Sequence, residues 1–423
     1  MDPRQSRQAW LDRLTATLGF DVRFYARSFT WLGLGQASGV VRGVATTFLM
    51  ARWLPRETLG EFRYVLAVFA VAGMFSAGGV GTSIIRGFAK GEPSVAWAGF
   101  RRVLSIAPAG TVLLLFAAAD RLRNGEDSVA AALAIAAVAF PAYAASSLYG
   151  PILVGQERIG TLSQRAIANN LAFAACFFAV IWHTTALIPI FGAYLGFDIL
   201  FRGFLTWNEL RRLPRSGDAS EHIRLGDHLS AIGMFQAVAG QLDQLLLQRF
   251  AGYGTLANYS VAMLVPEQVK DFVNAIGGVL LQRFSRYASG QKVLPQTRRH
   301  FWTMAALSAG AVAAYAAAAP LAIPLLFPQY TNEVLPSVVY ALGLLALPGI
   351  IGLNYFQAHR YVAGLWRFYA ANTALQIASN TVLIPLFGAW GAVWSKTLTR
   401  LSGLPLAYPR KIPETAAGNE TAG

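Results

Sequence analysis

Three stretches of the chain place ionisable or amide side chains inside apolar sequence, where they can bind a ligand or one another. Arg42 sits in the middle of the apolar block at 31–52, with Ser38 and Thr46 on its face at i±4 and Gln36 a turn and a half away. That block has no acidic residue. A guanidinium held so deep is a bidentate donor suited to phosphate oxygens. Its other use is an ion pair with an acid from elsewhere, for instance Asp243. The second stretch, PEQVKDFVN, puts Glu267, Lys270, Asp271 and Asn274 at helical spacing just after Pro266. Glu267 and Lys270 can neutralise each other within one turn, or the face can line a cavity that contacts substrate. Glu267, Asp271 and Asp243 are then the carboxylates that carry a coupling proton or cation. The third stretch holds Gln236, Gln241, Asp243, Gln244 and Gln248, with Gln241, Gln244 and Gln248 on one stripe and Asp243 between it and Gln236. Such amides suit sugar hydroxyls, and they equally hydrogen-bond helix to helix. Lys396 and Asn372 are further cavity residues, and Asp198 stays open between lining and packing.

Other chemistries lack their residues. One cysteine, Cys176, rules out a disulfide framework and a thiolate metal site, and its apolar neighbours predict a buried thiol. The five histidines have no ligand spacing. No Gly-rich phosphate loop and no nucleophile–base constellation can be assembled. The sequence therefore predicts no cofactor, no metal and no enzyme.

The elements that must position these side chains are membrane helices. Hydrophobic residues make up 55% of the 423 and charged residues only 13%, with a mean hydropathy of +0.44. A soluble domain carries roughly twice that charged fraction. The apolar residues also come in blocks of about twenty, long enough to cross about 30 Å of hydrocarbon. The net charge of +14 would raise nucleic acid in a soluble chain, but here it collects in short loops, so nucleic acid is not an expected partner. Twelve spans are predicted, near 31–52, 62–85, 98–119, 129–153, 165–185, 187–206, 228–250, 257–281, 302–327, 334–356, 366–387 and 389–408. With the N-terminus inside, about 24 of the 35 Lys and Arg fall in cytoplasmic segments and about 6 in external loops. Both termini are then cytoplasmic. The expected organisation is a tail at 1–28, an N-lobe at 29–206, a cytoplasmic loop at 207–227, a C-lobe at 228–408 and a tail at 409–423. No secretory signal precedes the first block, and the region around Trp10, Leu14 and Leu18 suits either a surface helix or a plain tail.

The two lobes are repeats of each other. FLMARWLPRETLGEFRYVLAV from residue 48 aligns without gaps on LLLQRFAGYGTLANYSVAMLV from residue 245, and LIPIFGAY at 187–194 matches LIPLFGAW at 383–390 at nearly the same offset. An even number of spans per half keeps the halves parallel, with the pseudo-twofold axis along the membrane normal. Two such bundles leave a central cleft suited to alternating access. Prolines inside the spans, among them Pro108, Pro141, Pro266, Pro320 and Pro324, bend helices and act either as packing kinks or as hinges.

The segment GQASGVVRGVATTFLMARWLPRETLGEFRYVLAVFAVAGMFSAGGVGTSIIRGFAKG resembles the opening helices of the Wzx-type polysaccharide flippases. These belong to the multidrug/oligosaccharidyl-lipid/polysaccharide (MOP) superfamily. The likeness rests on the turn with Ala51, Arg52, Leu54 and Gly60, on the glycines Gly78, Gly79 and Gly81, and on the ending LIPLFGAWGAVWSK. It extends over roughly 29–408. It implies a V-shaped pair of six-helix lobes in a bacterial inner membrane, moving an undecaprenyl-pyrophosphate oligosaccharide. The implied partners are that lipid-linked sugar, the surrounding lipids, and a polymerase or glycosyltransferases of the same pathway. Arg42, Lys270 and Lys396 would be the cavity cations. Lipid II flippases of the superfamily carry two further C-terminal helices, and an ending near Tyr408 points away from that branch. The competing expectations are a cation-coupled drug exporter of the same superfamily and a polytopic O-antigen polymerase or ligase. The first prefers acids in the N-lobe, whereas spans 1 to 5 hold no mid-membrane acid; the second needs long external loops.

Overall fold

In a computed structural model, residues 22–410 are described except 216, 218, 285–289 and 359–360, and among them the chain is helical without a strand. The surface helix expected near Trp10 and the tail beyond 410 lie outside the described residues. Every predicted span has a helical counterpart. In the first half these are Val22–Trp53, Arg56–Ala72 continued by Gly78–Ala89, Val95–Arg123, Asp127–Ser146 continued by Tyr149–Gly155, Ile159–His183 and Leu187–Leu210. In the second half Ser220–Phe284 holds spans 7 and 8, reversing at Gly252 (φ 81°, ψ 177°). Gly290–Leu326 is span 9, the segments Val334–Ala341 and Gly349–Ala358 belong to span 10, and Val362–Phe387 and Ala389–Ala407 are spans 11 and 12. Seven of the described helical stretches are long and apolar enough to cross a membrane by length and composition alone, and two of these seven carry Arg63, Asp198 and Arg202.

Two boundaries move. Span 2 begins at Arg56 rather than 62, because Pro55 supplies a helix start directly after the span 1 turn. Span 6 runs to Leu210 and span 7 starts at Ser220, so the expected loop at 207–227 shrinks to 211–219. The first turns of span 7 pack on the N-lobe. Ser83 donates to the His222 carbonyl at 2.6 Å, Arg102 grips Asp227 at 2.8 and 2.9 Å, and Glu92 meets His222 at 2.9 Å.

The repeat is used in two ways. At the span 1–2 and 7–8 turns the aligned residues play matching parts, Pro55 starting one helix and Gly252 the other. The octapeptide match does not correspond in space. LIPIFGAY lies inside span 6, whereas LIPLFGAW straddles the break at Gly388, whose φ of 56° and ψ of −129° suit only glycine. Cys176 is exposed on the outer face of span 5, contrary to the buried thiol expected; Phe173 and Phe177 take the inward face instead. An apolar neighbourhood in the sequence does not separate core from lipid.

The lobes touch along spans 2 and 8. Gly60 lies so close to Tyr253 that a Cβ would come 1.9 Å from its carbonyl oxygen. Around this contact, at the end of the bundle holding the 1–2 and 7–8 turns, the Tyr253 hydroxyl donates to Glu126. The Tyr64 and Tyr253 rings meet edge to face at 5.8 Å, and Arg56 donates to the Gln329 carbonyl. That end is closed by direct contact between lobes.

Candidate functional site

Between the lobes lies a cavity of about 440 Å³ that takes residues from spans 1, 2, 4, 5, 6 and 8. Span 1 brings Arg42 to it, about 16 Å below the turn at the helical rise. Its guanidinium is not free. It donates to both oxygens of Asp198 on span 6 at 3.0 Å, reaches the Asn170 side-chain oxygen at 3.4 Å, and stacks 3.5 Å over the Phe173 ring. Asp198 is 6% exposed and also faces Arg202 one turn along at 3.9 Å. Two arginines thus share one carboxylate. Asp198, left open by the sequence, is the partner of Arg42, and Asp243 is not.

Asp243 belongs to the other lobe. On span 7 it is 1% exposed, accepts from the Tyr259 hydroxyl at 2.6 Å, and pairs with Lys396 of span 12 at 3.1 Å. Glu267 of span 8 is held by Lys270, Arg400 and the Tyr340 hydroxyl. Gln241, Asp243, Gln244, Glu267, Lys270 and Lys396 line one cavity of about 360 Å³ in the C-lobe, together with Asn372. Gln244 donates to Gln241 at 3.0 Å, which fixes the pair of amides as a unit. The remaining residues read from sequence lie apart. Gln36 faces a separate N-lobe chamber, Asn274 lines a recess between spans 8, 10, 11 and 12, and Asp271 points outward, 3.6 Å from Lys270.

The structure adds arginines that the sequence reading left out. Arg63 on span 2 lines both the central cavity and the adjoining one of about 570 Å³. It donates to the Thr47 hydroxyl at 2.6 Å, its Nε is buried without a partner, and among the described residues no carboxylate stands within ion-pair distance of it. The residue was hidden because a span starting at 62 puts it at the membrane surface; starting at Arg56 puts it two turns deep. Arg202 and Arg400 carried a usable signal, each one turn from a charged residue already noted, Asp198 and Lys396.

Chemically, the cavity is a polar, arginine-bearing cleft between two bundles, walled on the N-lobe side by Arg42, Arg63 and Arg202. Such a wall suits an anionic group, with amides on the C-lobe side available to hydroxyls.

The sequence profile of the family described as polysaccharide biosynthesis protein matches residues 25–288. No curated protein sequence matches the chain at a significant level. Among solved structures, the fold is similar to an inward-facing multidrug resistance MATE family transporter of the MOP superfamily (TM-score 0.67, 12% identity, 90% of this chain and 97% of that one). It is also similar to the lipid II flippase MurJ in an inward closed conformation (TM-score 0.65, 12% identity, 91% and 86%). A third likeness is to a MOP superfamily transporter from Pyrococcus furiosus described as having a binding pocket of reverse polarity (TM-score 0.55, 12% identity, 91% and 94%). The fold is thus similar to that of MOP transporters, and with the profile covering well over half of it, the chain belongs to the polysaccharide biosynthesis protein family.

Proposed function

We propose that the chain flips a polyprenyl-pyrophosphate-linked oligosaccharide across a bacterial inner membrane by alternating access, as a step in building a cell-surface polysaccharide. The observation that carries this reading is Arg63, a half-buried guanidinium facing the inter-lobe cavity with a hydroxyl for partner and, among the described residues, no carboxylate within ion-pair distance. An ionisable group inside a membrane costs about 2.5–3.5 kcal/mol by insertion scales, so one without a counter-ion implies a ligand of opposite charge. A diphosphate supplies it. Arg42 and Arg202 stand beside it, sharing Asp198, and take part of the same anion when it displaces that carboxylate. On this reading both termini are cytoplasmic, the contact at Gly60 and Tyr253 seals the external side, and the cavity takes its cargo from the cytoplasm. The carrier's isoprenoid chain stays in the lipid, and the pathway's polymerase or glycosyltransferases act on either side of the step.

A drug exporter for organic cations is the second reading, favoured by the buried acid Asp198 in the N-lobe. Against it, both oxygens of that carboxylate are already taken by Arg42.

The test is transport of a short-chain polyprenyl-diphosphate oligosaccharide into liposomes holding the purified protein. Arg63→Ala is expected to lower the rate at least tenfold while the melting temperature changes little, because no ion pair is broken. Full transport by Arg63→Ala, or transport of cationic dyes in place of the lipid-linked sugar, overturns the reading.

A further inference from the structure

A chamber of about 350 Å³ lies within the N-lobe, among spans 1, 4, 5 and 6, and meets the central cavity at Gly39, Asn170 and Arg202. Small-molecule sites run from about 300 to 1,000 Å³, so it has room for a compact ligand or one unit of a larger one. Two buried polar side chains in its wall have hydrogen-bonding capacity to spare. The Asn169 side-chain oxygen has no hydrogen bond, although the residue is 4% exposed and its amide nitrogen is tied to Asp198 at 3.3 Å. The Tyr149 hydroxyl, on a residue 7% exposed, faces the Arg165 guanidinium and has no acceptor for its own proton among the described residues. An orphaned buried polar group costs about 1–3 kcal/mol, and an acceptor without a donor beside a hydroxyl proton without an acceptor calls for a partner that both donates and accepts.

Charge narrows the partner. At one side of the chamber Arg165 and Arg158 share the buried Glu209, each at 2.9 Å. At the other, Arg42 and Arg202 share Asp198. Each group has two guanidiniums to one carboxylate, so the chamber is cationic at both ends. Its apolar floor is aromatic, the Phe201 side chain packing beside the cluster of Tyr149, Leu153 and Leu205. Hydroxyl-matching atoms, an aromatic floor and excess positive charge together describe a sugar phosphate.

We infer that this chamber is the subsite for the sugar directly attached to the diphosphate. The ring lies on Tyr149 and Phe201, its hydroxyls meet Asn169 and Tyr149, and its phosphate reaches back to Arg202 at the mouth of the central cavity. The inference rests on the lipid-linked saccharide reading and goes further, making this chamber the place where the first sugar is distinguished.

The experiment is calorimetric titration of the full-length protein in lipid nanodiscs, with a panel of hexose 1-phosphates and with inorganic pyrophosphate. At least one hexose 1-phosphate is expected to bind. Tyr149→Phe and Asn169→Ala are each expected to weaken it about tenfold, the size of one lost hydrogen bond in such a site. Pyrophosphate affinity should stay within about twofold. Gly150→Ala serves as a second kind of variant, since a Cβ there meets nothing within 4 Å and narrows the chamber without striking a neighbour. It too should cost sugar phosphate affinity alone. Unchanged sugar phosphate binding in all three, or equal losses for both probes, overturns the subsite. Pyrophosphate binding with no sugar phosphate binding in the wild type overturns the subsite and leaves the transport reading standing. Binding of neither probe overturns both.

Discussion

The two lobes carry the same helices with opposite charge arrangements. In the N-lobe the cation is on the first helix and the acid on the sixth, Arg42 with Asp198. In the C-lobe the acid is on the first helix and the cation on the sixth, Asp243 with Lys396. The aligned repeat places Ala239 opposite Arg42 and Thr46 opposite Asp243, so neither charge descends to its counterpart position. What the halves share is the requirement that the first and sixth helices of each be tied by a buried ion pair. What differs is the surplus. The N-lobe adds Arg63 and Arg202 to its cavity wall, whereas in the C-lobe Glu267 absorbs both Lys270 and Arg400. A repeat thus sets the frame, and the residues that point inward make one wall cationic and the other nearly neutral.

The largest expected effect tests whether these pairs hold the lobes together. Asp198→Ala leaves Arg42 buried without its acid and should cost about 3–5 kcal/mol, as loss of one partner of a buried pair does. Asp243→Ala should cost a similar amount in the other lobe. Thermal melting of the purified variants checks both. The double variant Arg42→Met with Asp198→Leu should recover most of the melting temperature and little of the transport rate. If it recovers transport as well, the N-lobe pair is structural only and the contrast between lobes loses its functional meaning.

A smaller effect is expected where the lobes touch. The Gly60 counterpart in the repeat is Ala257, which already has a Cβ, so the close approach is one-sided. Gly60→Ala must push spans 2 and 8 apart at a cost of about 1–3 kcal/mol, the usual range for overpacking. A cysteine placed at Thr47 should then react faster with a water-soluble thiol reagent added to the external side. No change in that rate means the seal lies elsewhere.

The smallest belongs to the partly exposed end of the same contact. Glu126→Gln keeps a hydrogen-bond acceptor for Tyr253 and weakens the pairing with Arg121, now at 3.3 Å. Such a partly exposed pair is worth under about 1 kcal/mol. Stability should be nearly unchanged, with labelling at position 47 rising less than for Gly60→Ala. A larger rise would make this charge, rather than the glycine contact, the main closure between lobes.

Much of this was legible in the residues. Apolar blocks of membrane-crossing length marked the spans, and the gap-free repeat around the 1–2 and 7–8 turns set the expectation of two lobes. The charges inside spans marked Arg42, Asp243, Glu267, Lys270 and Lys396 as residues needing partners. The partners themselves were not legible. Asp198 lies 156 residues from Arg42, and Lys396 lies as far from the Gly240 carbonyl it also reaches. No local periodicity connects such positions. Arg63 failed for a different reason, an error of six residues in where span 2 begins, which is enough to carry an arginine from the surface to two turns deep.

By itself the sequence determined that this is a two-fold repeated helical membrane bundle with ionisable groups in its interior, because transfer cost depends on composition and length alone. Tertiary structure decided which of those groups neutralise one another and which face the cleft. Helix rotation sets that choice: a turn of about 100° per residue moves a side chain from lipid to cavity, and only packing against the other helices fixes the angle.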